Sequence, residues 1–255
     1  MANMVAHDLR NPLSSVKMAL QIFGRRPTKR WDPEEHELQQ IALEQVRYME
    51  EILSDLLTYS RPDSLEPEWL SIDRVLDAAV LVAQKHIAEH GVRVKRRYRP
   101  GLPTVFADAA KLRQAFANLV ENAAQATEGV HDREREIEIA TELELRTDGS
   151  WIRVEISDNG AGLSPGHEER VFEPFYTTRA RGTGLGLAIV RRMVQLHGGT
   201  VTLQQHGRNR TCATVVLPTR ASGVLCVAAV APERPHAARL AEARALDIPV
   251  EQDSP

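Results

Sequence analysis

The sequence predicts an α+β protein in two parts: a two-helix hairpin that dimerises into a four-helix bundle, followed by an α/β sandwich. The first sixty residues carry apolar side chains at helical spacing, whereas the chain from Trp69 alternates helical stretches with strands. The predicted domains are a hairpin at 1–60, a linker at 61–68, a sandwich at 69–219, and a tail or truncated further domain at 220–255.

The composition is that of a soluble globular protein without a dominant charge. The chain of 255 residues has 32 Lys and Arg against 35 Asp and Glu, a formal net charge of −3. This balance argues against a nucleic-acid partner. No apolar run approaches the ~20 residues that span a bilayer. We therefore expect a cytoplasmic chain with no membrane contact of its own, whether or not a longer parent protein is membrane-anchored.

The hairpin prediction comes from two amphipathic stretches. The first ends at Gly24 and Pro27, and the second runs from a turn at Asp32 and Pro33 to Pro62. Their apolar positions are Val5, Leu9, Leu13, Val16, Leu20 and Phe23, then Leu38, Ile41, Tyr48, Ile52, Leu56 and Tyr59. Because two helices cannot enclose a core, we expect the pair to dimerise. Packing of the hairpin on its own downstream domain is the alternative.

The sandwich prediction comes from a change in periodicity after the linker. Helices are expected at Asp73–His90, Asp108–Thr127 (capped by Asp108) and Leu185–His197. Strands are expected at Val92–Tyr98, Glu136–Leu145, Trp151–Asp158, Thr200–Gln205 and Thr211–Leu217. The last four strands form two hairpins, so the helices should lie beside a largely antiparallel sheet.

The first segment with reactive side chains surrounds His7. His7 and Asn11 are four residues apart on one exposed helix edge, away from the apolar positions. A neutral imidazole in water is a nucleophile, and the neighbouring Asp8 can act as its base. Pro12 removes a backbone donor and predicts a bend. By residue type alone, however, such a histidine is usually ordinary surface.

A second group of segments suits a nucleotide. Asn118 and Asn122 share one helix face, where side-chain amides can hold phosphate oxygens or Mg²⁺. Asp158 ends a strand before a glycine-rich turn and can accept a hydrogen bond from an exocyclic amine such as that of adenine. The run Gly182–Leu187 opens a helix whose N-terminus favours phosphates. Neither a Rossmann unit nor a P-loop pattern surrounds these glycines.

In this order and spacing the segments resemble the H, N, G1 and G2 boxes of sensor histidine kinases. Phe172-Glu173-Pro174-Phe175 stands where that family has its F box. The resemblance runs from Val5 to about Leu217 and implies a sandwich of the Bergerat type, shared with gyrase and the Hsp90 chaperones. It makes His7 the phosphorylation site and Asp8 its base, and it gives Asn11 the further task of orienting water for dephosphorylation of a partner.

The resemblance also assigns roles in the nucleotide pocket. It makes Asn122 the Mg²⁺ ligand, Asn118 a support for metal and phosphates, and Asp158 the reader of adenine. The glycines implied to shape the adenine pocket are Gly160 and Gly162, and those implied to wrap the triphosphate are Gly182, Gly184 and Gly186.

Residues 163–181 are implied to be a lid. Within it Arg179 is preferred over Arg181 as the group that reaches the γ-phosphate. Gln125 departs from the lysine that many members carry, which implies a changed phosphate contact without loss of activity.

The function implied is ATP-dependent autophosphorylation of His7 in a homodimer, then transfer to an aspartate of a response-regulator receiver domain, with Mg²⁺ as cofactor. A phosphatase or scaffold module that binds ATP without autophosphorylation is the alternative. A gyrase- or Hsp90-type ATPase is disfavoured because those enzymes use a glutamate at the position of Asn118, and an amide cannot activate water as a base. A serine kinase of the anti-sigma type shares the fold but lacks the hairpin.

Overall fold

The computed structural model describes residues 13–14, 16–18, 20–21, 33–60, 64–163, 166–179, 182–207 and 209–220. The predicted residues His7, Asp8, Asn11 and Arg181 lie outside the described residues, as does the tail from 221 onward. The described residues between 13 and 21 are helical.

The helices are α1 (Pro33–Ser60), α2 (Ile72–Val82), α3 (Gln84–Glu89), α4 (Ala109–Ala126) and α5 (Gly186–Leu196), with a short 3₁₀ helix at Arg170–Phe172. The strands are β1 (Glu68–Leu70), β2 (Arg93–Arg97), β3 (Val105–Ala107), β4 (Glu136–Arg146), β5 (Gly149–Asp158), β6 (Thr200–Gln205) and β7 (Thr211–Pro218). None of the described helices is both long and apolar enough to span a membrane.

The sheet that carries the site has five strands in the order β2-β4-β5-β7-β6. All its pairs are antiparallel except β2 with β4, and β1 pairs with β3 in a separate two-stranded sheet. Alternate residues of β4 and β5 are buried against α2, α4 and α5, as period-2 patterning requires. Helices on one face of a largely antiparallel sheet confirm the predicted α+β sandwich.

Local chemistry explains where the helices begin and where the prediction was wrong. The predicted cap of α4 is confirmed: the Asp108 carboxylate accepts the backbone N–H groups of Ala110 and Lys111, each at 3.0 Å. The single helix predicted over Asp73–His90 is instead two helices that meet at Ala83. Neither glycine nor proline marks that break, so the periodicity alone could not reveal it.

One face of α1 packs within the hairpin. Leu43, Val46 and Leu53 are buried on this face. The Gln39 side chain donates to the Leu20 carbonyl at 2.5 Å, which ties α1 to the helical residues before it.

A second face of α1 contacts the sandwich. The Tyr48 hydroxyl donates to the Gly182 carbonyl at 3.5 Å, and Thr183 Oγ1 donates to the Asp55 carboxylate at 2.7 Å. Arg192 of α5 donates to the Tyr59 carbonyl and lies over the Tyr59 ring. The sequence analysis placed both tyrosines on one face with Leu38 and Leu56. In the structure Tyr48 and Tyr59 contact the sandwich, whereas Leu38 and Leu56 are exposed.

Candidate nucleotide-binding site

The candidate site lies where the end of β5, the second half of α4 and the N-terminus of α5 meet. It is built on three segments distant in sequence: the turn after Asp158, the amide face of α4, and the glycine-rich loop before α5. The sheet and helices hold these segments in place, so the site is formed by loops on a packed scaffold.

Asp158 ends β5 with its side chain turned inward. It is only 5% exposed, and its Oδ1 accepts the Gly160 backbone N–H at 2.9 Å. Burial raises the pKa of Asp158 to about 6, although the Gly160 hydrogen bond and the charge of Arg179 act in the opposite direction. Such a buried carboxylate suits a ligand that brings its own hydrogen-bond donor, as the adenine amine does.

The turn after β5 is pressed against the end of α4. A side chain at Gly160 would drive its Cβ into the Ala126 carbonyl group, closer than van der Waals contact allows. Ala161 donates its backbone N–H to that same carbonyl oxygen at 3.0 Å. Gly162 adopts a φ of 82°, which most side chains disfavour. The two glycines thus let the backbone turn within a space that α4 already limits.

Asn159 fixes the other side of this turn, a role that the sequence analysis missed. Its Oδ1 accepts the Glu136 backbone N–H at 2.9 Å, and its Nδ2 donates to the Glu134 carbonyl at 2.7 Å. Glu136 begins β4, and Glu134 lies just before it. The position of Asn159 between Asp158 and Gly160 was the available signal, since asparagine commonly bonds to backbone groups in turns.

The amide side chains of α4 meet the N-terminus of α5. Asn118 Nδ2 donates to the Gly186 carbonyl at 3.3 Å. A Cβ at Gly186 would lie 3.8 Å from Asn122 Nδ2 and 3.9 Å from Asn118 Nδ2. The structure therefore brings both predicted amides to the first residue of α5, where backbone N–H groups favour anions.

Arg179 reaches across to the same face of α4. Its Nη1 donates to Asn122 Oδ1 at 3.0 Å, and its Nη2 donates to the Asn122 carbonyl at 3.1 Å. The guanidinium also donates to Gln125 Oε1. An arginine stays charged at neutral pH, so the guanidinium brings a cation to this face of α4.

The glycine-rich loop is hydrogen-bonded to the F-box segment, residues 172–175. Phe175 donates its backbone N–H to the Gly184 carbonyl at 2.9 Å, and both residues have positive φ, 66° and 68°. A Cβ at Gly184 would lie 2.5 Å from the Phe175 carbonyl carbon. At Gly182 a Cβ would lie 2.5 Å from Thr177 Oγ1. The backbone overlap excludes a side chain at Gly184, whereas at Gly182 the Thr177 side chain would have to turn away to admit one.

The oxygens present suit Mg²⁺ only if a ligand adds more of them. In the described part of the chain no group of three or more His, Cys, Asp and Glu side chains could hold a metal. Asn122 Oδ1 is nevertheless a hard oxygen that already accepts from a cation, the Arg179 guanidinium. Mg²⁺ commonly takes few protein ligands and completes its shell with phosphates and water, so the site fits Mg²⁺ shared with a bound polyphosphate.

Comparison with known proteins matches two segments of the chain to family models. Residues 1–65 match the His Kinase A (phospho-acceptor) domain. Residues 107–221 match the histidine kinase-, DNA gyrase B-, and HSP90-like ATPase.

Similar proteins with curated names are sensor histidine kinases. The sensor histidine kinase ZraS of Klebsiella oxytoca is 30% identical over 214 residues, covering 84% of this chain and 44% of ZraS. The sensory histidine kinase/phosphatase NtrB of Rhizobium meliloti is 31% identical over 227 residues, covering 86% of this chain and 58% of NtrB. The chain thus spans about half the length of the curated relatives that it matches.

Solved structures share the fold over most of the chain. Full-length ShkA in complex with AMPPNP has a TM-score of 0.68 at 25% identity, over 85% of this chain and 45% of that one. The histidine kinase ThkA in complex with the response regulator protein TrrA has a TM-score of 0.61 at 24% identity, over 86% of this chain and 61% of that one. Both domain matches, in the order that the motifs predicted, show that the chain belongs to the sensor histidine kinase family.

Proposed function

We propose that the chain is the kinase core of a two-component system, which transfers the γ-phosphoryl group of ATP to His7 and then to an aspartate of a response-regulator receiver domain. The observation that carries this proposal is the placement of a buried carboxylate, two amides and an arginine around a glycine-rich helix N-terminus. This set of groups suits a purine joined to a polyphosphate. The match of residues 1–65 to a phospho-acceptor domain supports a histidine in this segment, His7, as the acceptor.

Asp158 would bind the adenine end of ATP. Its ionised carboxylate accepts a hydrogen bond from the exocyclic amine, and Gly160 and Gly162 shape the turn beside the base. Guanine carries a carbonyl oxygen at the position of that amine, so two acceptors would face each other there, and the site should prefer adenine to guanine.

The triphosphate would lie along the start of α5. Gly182, Gly184 and Gly186 allow the backbone to approach the phosphates, and the helix N-terminus stabilises their charge. Asn122 would hold Mg²⁺, which when bound neutralises phosphate charge, and Asn118 would support the same phosphates. Arg179 would stabilise negative charge on the γ-phosphoryl group as it is transferred.

His7 would carry out the transfer. One ring nitrogen of His7 bonds to the γ-phosphorus while the bond to the bridging oxygen breaks, and ADP leaves with that electron pair. Asp8 holds the proton on the other ring nitrogen and takes it as positive charge develops. Asn118 cannot activate water in the manner of a glutamate, so ATP should persist until His7 is presented.

The labelling chemistry tests this proposal directly. We expect the chain with Mg²⁺ and γ-labelled ATP to acquire a label that acid removes and alkali does not, and that peptide mapping places on His7. A purified receiver domain should then take the label from the protein. Acid-stable label on a hydroxyl side chain would contradict the proposal. Absence of label in a chain that still binds ATP would favour the phosphatase or scaffold alternative.

Dimerisation through the hairpin is part of the proposal. Leu38, Ile41, Met49 and Leu56 of α1 are 42–65% exposed in the single chain, although they are large and apolar. An apolar face of this kind on a long helix is usually covered, and a second copy of the hairpin would cover it in a four-helix bundle.

Charged substitutions on this face should therefore dissociate the dimer. We expect the double variant Met49→Glu and Leu56→Glu to sediment as a monomer, whereas the wild type sediments as a dimer. Leu81→Glu is the matched control, because Leu81 is a 69% exposed residue of α2 in the sandwich. A monomeric wild type, or a variant that still dimerises with wild-type affinity, would show that this face is not the interface.

A further inference from the structure

Arg179 occupies the Asn122 side-chain oxygen, which the proposed function assigns to a metal ion. Its guanidinium donates to both oxygens of Asn122, at 3.0 Å to Oδ1 and 3.1 Å to the carbonyl, and also to Gln125 Oε1. Asn122 and Gln125 lie one helical turn apart on α4, so both side chains reach the same guanidinium. A single cation is thus held by three oxygens of one helix.

A guanidinium and a magnesium ion compete for such an oxygen. Mg²⁺ demands close, near-octahedral contact with oxygen, and an amide oxygen that accepts from a guanidinium at 3.0 Å cannot offer that geometry at the same time. The two cations also repel each other at this separation. Arg179 and Mg²⁺ are therefore alternatives at Asn122.

We propose that Arg179 takes the place of Mg²⁺ on Asn122 when no nucleotide is bound, and that Gln125 is the positioning residue that holds it there. The inference rests on the proposed function, in which Asn122 is the metal ligand. Binding of a magnesium–nucleotide complex requires Arg179 to leave Asn122. The hydrogen bond from Arg179 to Gln125 raises the free energy that this movement requires. The freed guanidinium is then available to the phosphates.

The backbone around Arg179 supports an exchange of this kind. Its N–H donates to Thr177 Oγ1 at 3.1 Å and its carbonyl accepts the Gly182 N–H at 3.4 Å, so its main chain stays beside the glycine-rich loop. The residue itself is exposed to solvent. Its side chain can change partners without any rearrangement of the buried core.

The test measures how much Mg²⁺ strengthens the binding of ADP. ADP lacks the γ-phosphate, so a contact between Arg179 and that group does not enter the measurement. Affinities are determined by titration calorimetry with Mg²⁺ and with a chelator, for the wild type, Gln125→Ala, Gln125→Met and Arg179→Ala. Gln125→Met keeps the length of the side chain and removes the acceptor, which guards against a folding defect in Gln125→Ala.

We expect the enhancement by Mg²⁺ to be about tenfold larger in both Gln125 variants than in the wild type, since one hydrogen bond to a charged group is lost. Arg179→Ala should show at least the same increase. Arg170→Ala is the matched control, because Arg170 is an arginine of the same segment that lies over the Tyr176 ring, away from α4. Its enhancement should equal that of the wild type.

Two results would overturn the inference, and they differ. An equal enhancement by Mg²⁺ in the wild type and in all the variants, with ADP still bound, would show that Arg179 does not compete with the metal while leaving the nucleotide site intact. Failure of the wild type to bind ADP under either condition would instead remove the proposed function, and this inference with it.

Discussion

Replacing Asp158 with asparagine is expected to weaken ATP binding at least about a hundredfold while it stabilises the nucleotide-free protein at neutral pH. The carboxylate is 5% exposed and accepts the Gly160 backbone N–H, so its remaining lone pairs are left for a ligand. Asparagine keeps the shape but presents an N–H₂ group where the adenine amine must donate. Two donors then face each other in a buried site, which is costly.

The gain in stability follows from the charge that asparagine lacks. Burial raises the pKa of Asp158 to about 6, well above the ordinary value of 3.8, so the folded state favours the protonated acid. The preference for the protonated acid adds to the free energy of unfolding. This addition is fully present below pH 3.8 and is lost as the pH rises through about 6. At pH 7 the lost contribution is on the order of 3 kcal/mol.

Denaturant unfolding at pH 4 and pH 7.5, with calorimetric ATP titration, measures both effects. The free energies of unfolding of the wild type and Asp158→Asn should converge at pH 4 and separate at pH 7.5. Wild-type ATP affinity should fall below about pH 6, where the carboxylate becomes protonated. Asp132→Asn, at an exposed aspartate paired with Arg133, is the matched control. Normal ATP affinity in Asp158→Asn would show that this residue does not bind adenine.

The fold could be predicted where periodicity and local chemistry agree. Alternating apolar residues in β4 and β5 and the cap at Asp108 indicated the right elements, because each is determined by neighbours in the chain. β1 and β3 were missed because each has three residues, too few for a period to show. The break at Ala83 was missed because neither glycine nor proline stands at that position.

Contacts between segments that are distant in the chain could not be predicted from the sequence. Periodicity shows that a face of α1 is apolar, but it does not show what covers that face. Tyr48 and Tyr59 contact the sandwich, whereas Leu38 and Leu56 on the same face stay exposed. The donation from Arg179 to Gln125 joins residues 54 positions apart. The glycine spacing predicted a phosphate loop, whereas only the structure reveals that Phe175 is its partner.

That partnership makes Gly184→Ala the second substitution with a large expected effect. A Cβ at Gly184 would lie 2.5 Å from the Phe175 carbonyl carbon and 2.8 Å from its Cα, which are backbone atoms that cannot rotate away. The loop and the F-box segment must therefore separate, and the hydrogen bond from Phe175 to Gly184 is lost. We expect autophosphorylation to fall about a hundredfold or more, because small displacements of positioned phosphates are that costly.

Gly207→Ala is the matched control that separates this overlap from backbone strain. Gly207 lies in the loop between β6 and β7 with a φ of 71°, close to the 68° of Gly184, but a methyl group there would find no atom within 4 Å. Both substitutions incur the cost of about 1 to 2 kcal/mol for a left-handed alanine. Gly207→Ala should therefore lose some stability and keep wild-type ATP affinity and autophosphorylation.

The difference between the two variants isolates the contact with Phe175. Chemical denaturation gives the shared backbone cost, and ATP titration with γ-label incorporation gives the functional loss that belongs to Gly184 alone. If Gly184→Ala kept its activity while losing only as much stability as Gly207→Ala, the loop would tolerate a side chain against Phe175. The close approach of these two backbones would then have no part in holding the triphosphate, and Gly182 with Gly186 would have to position it.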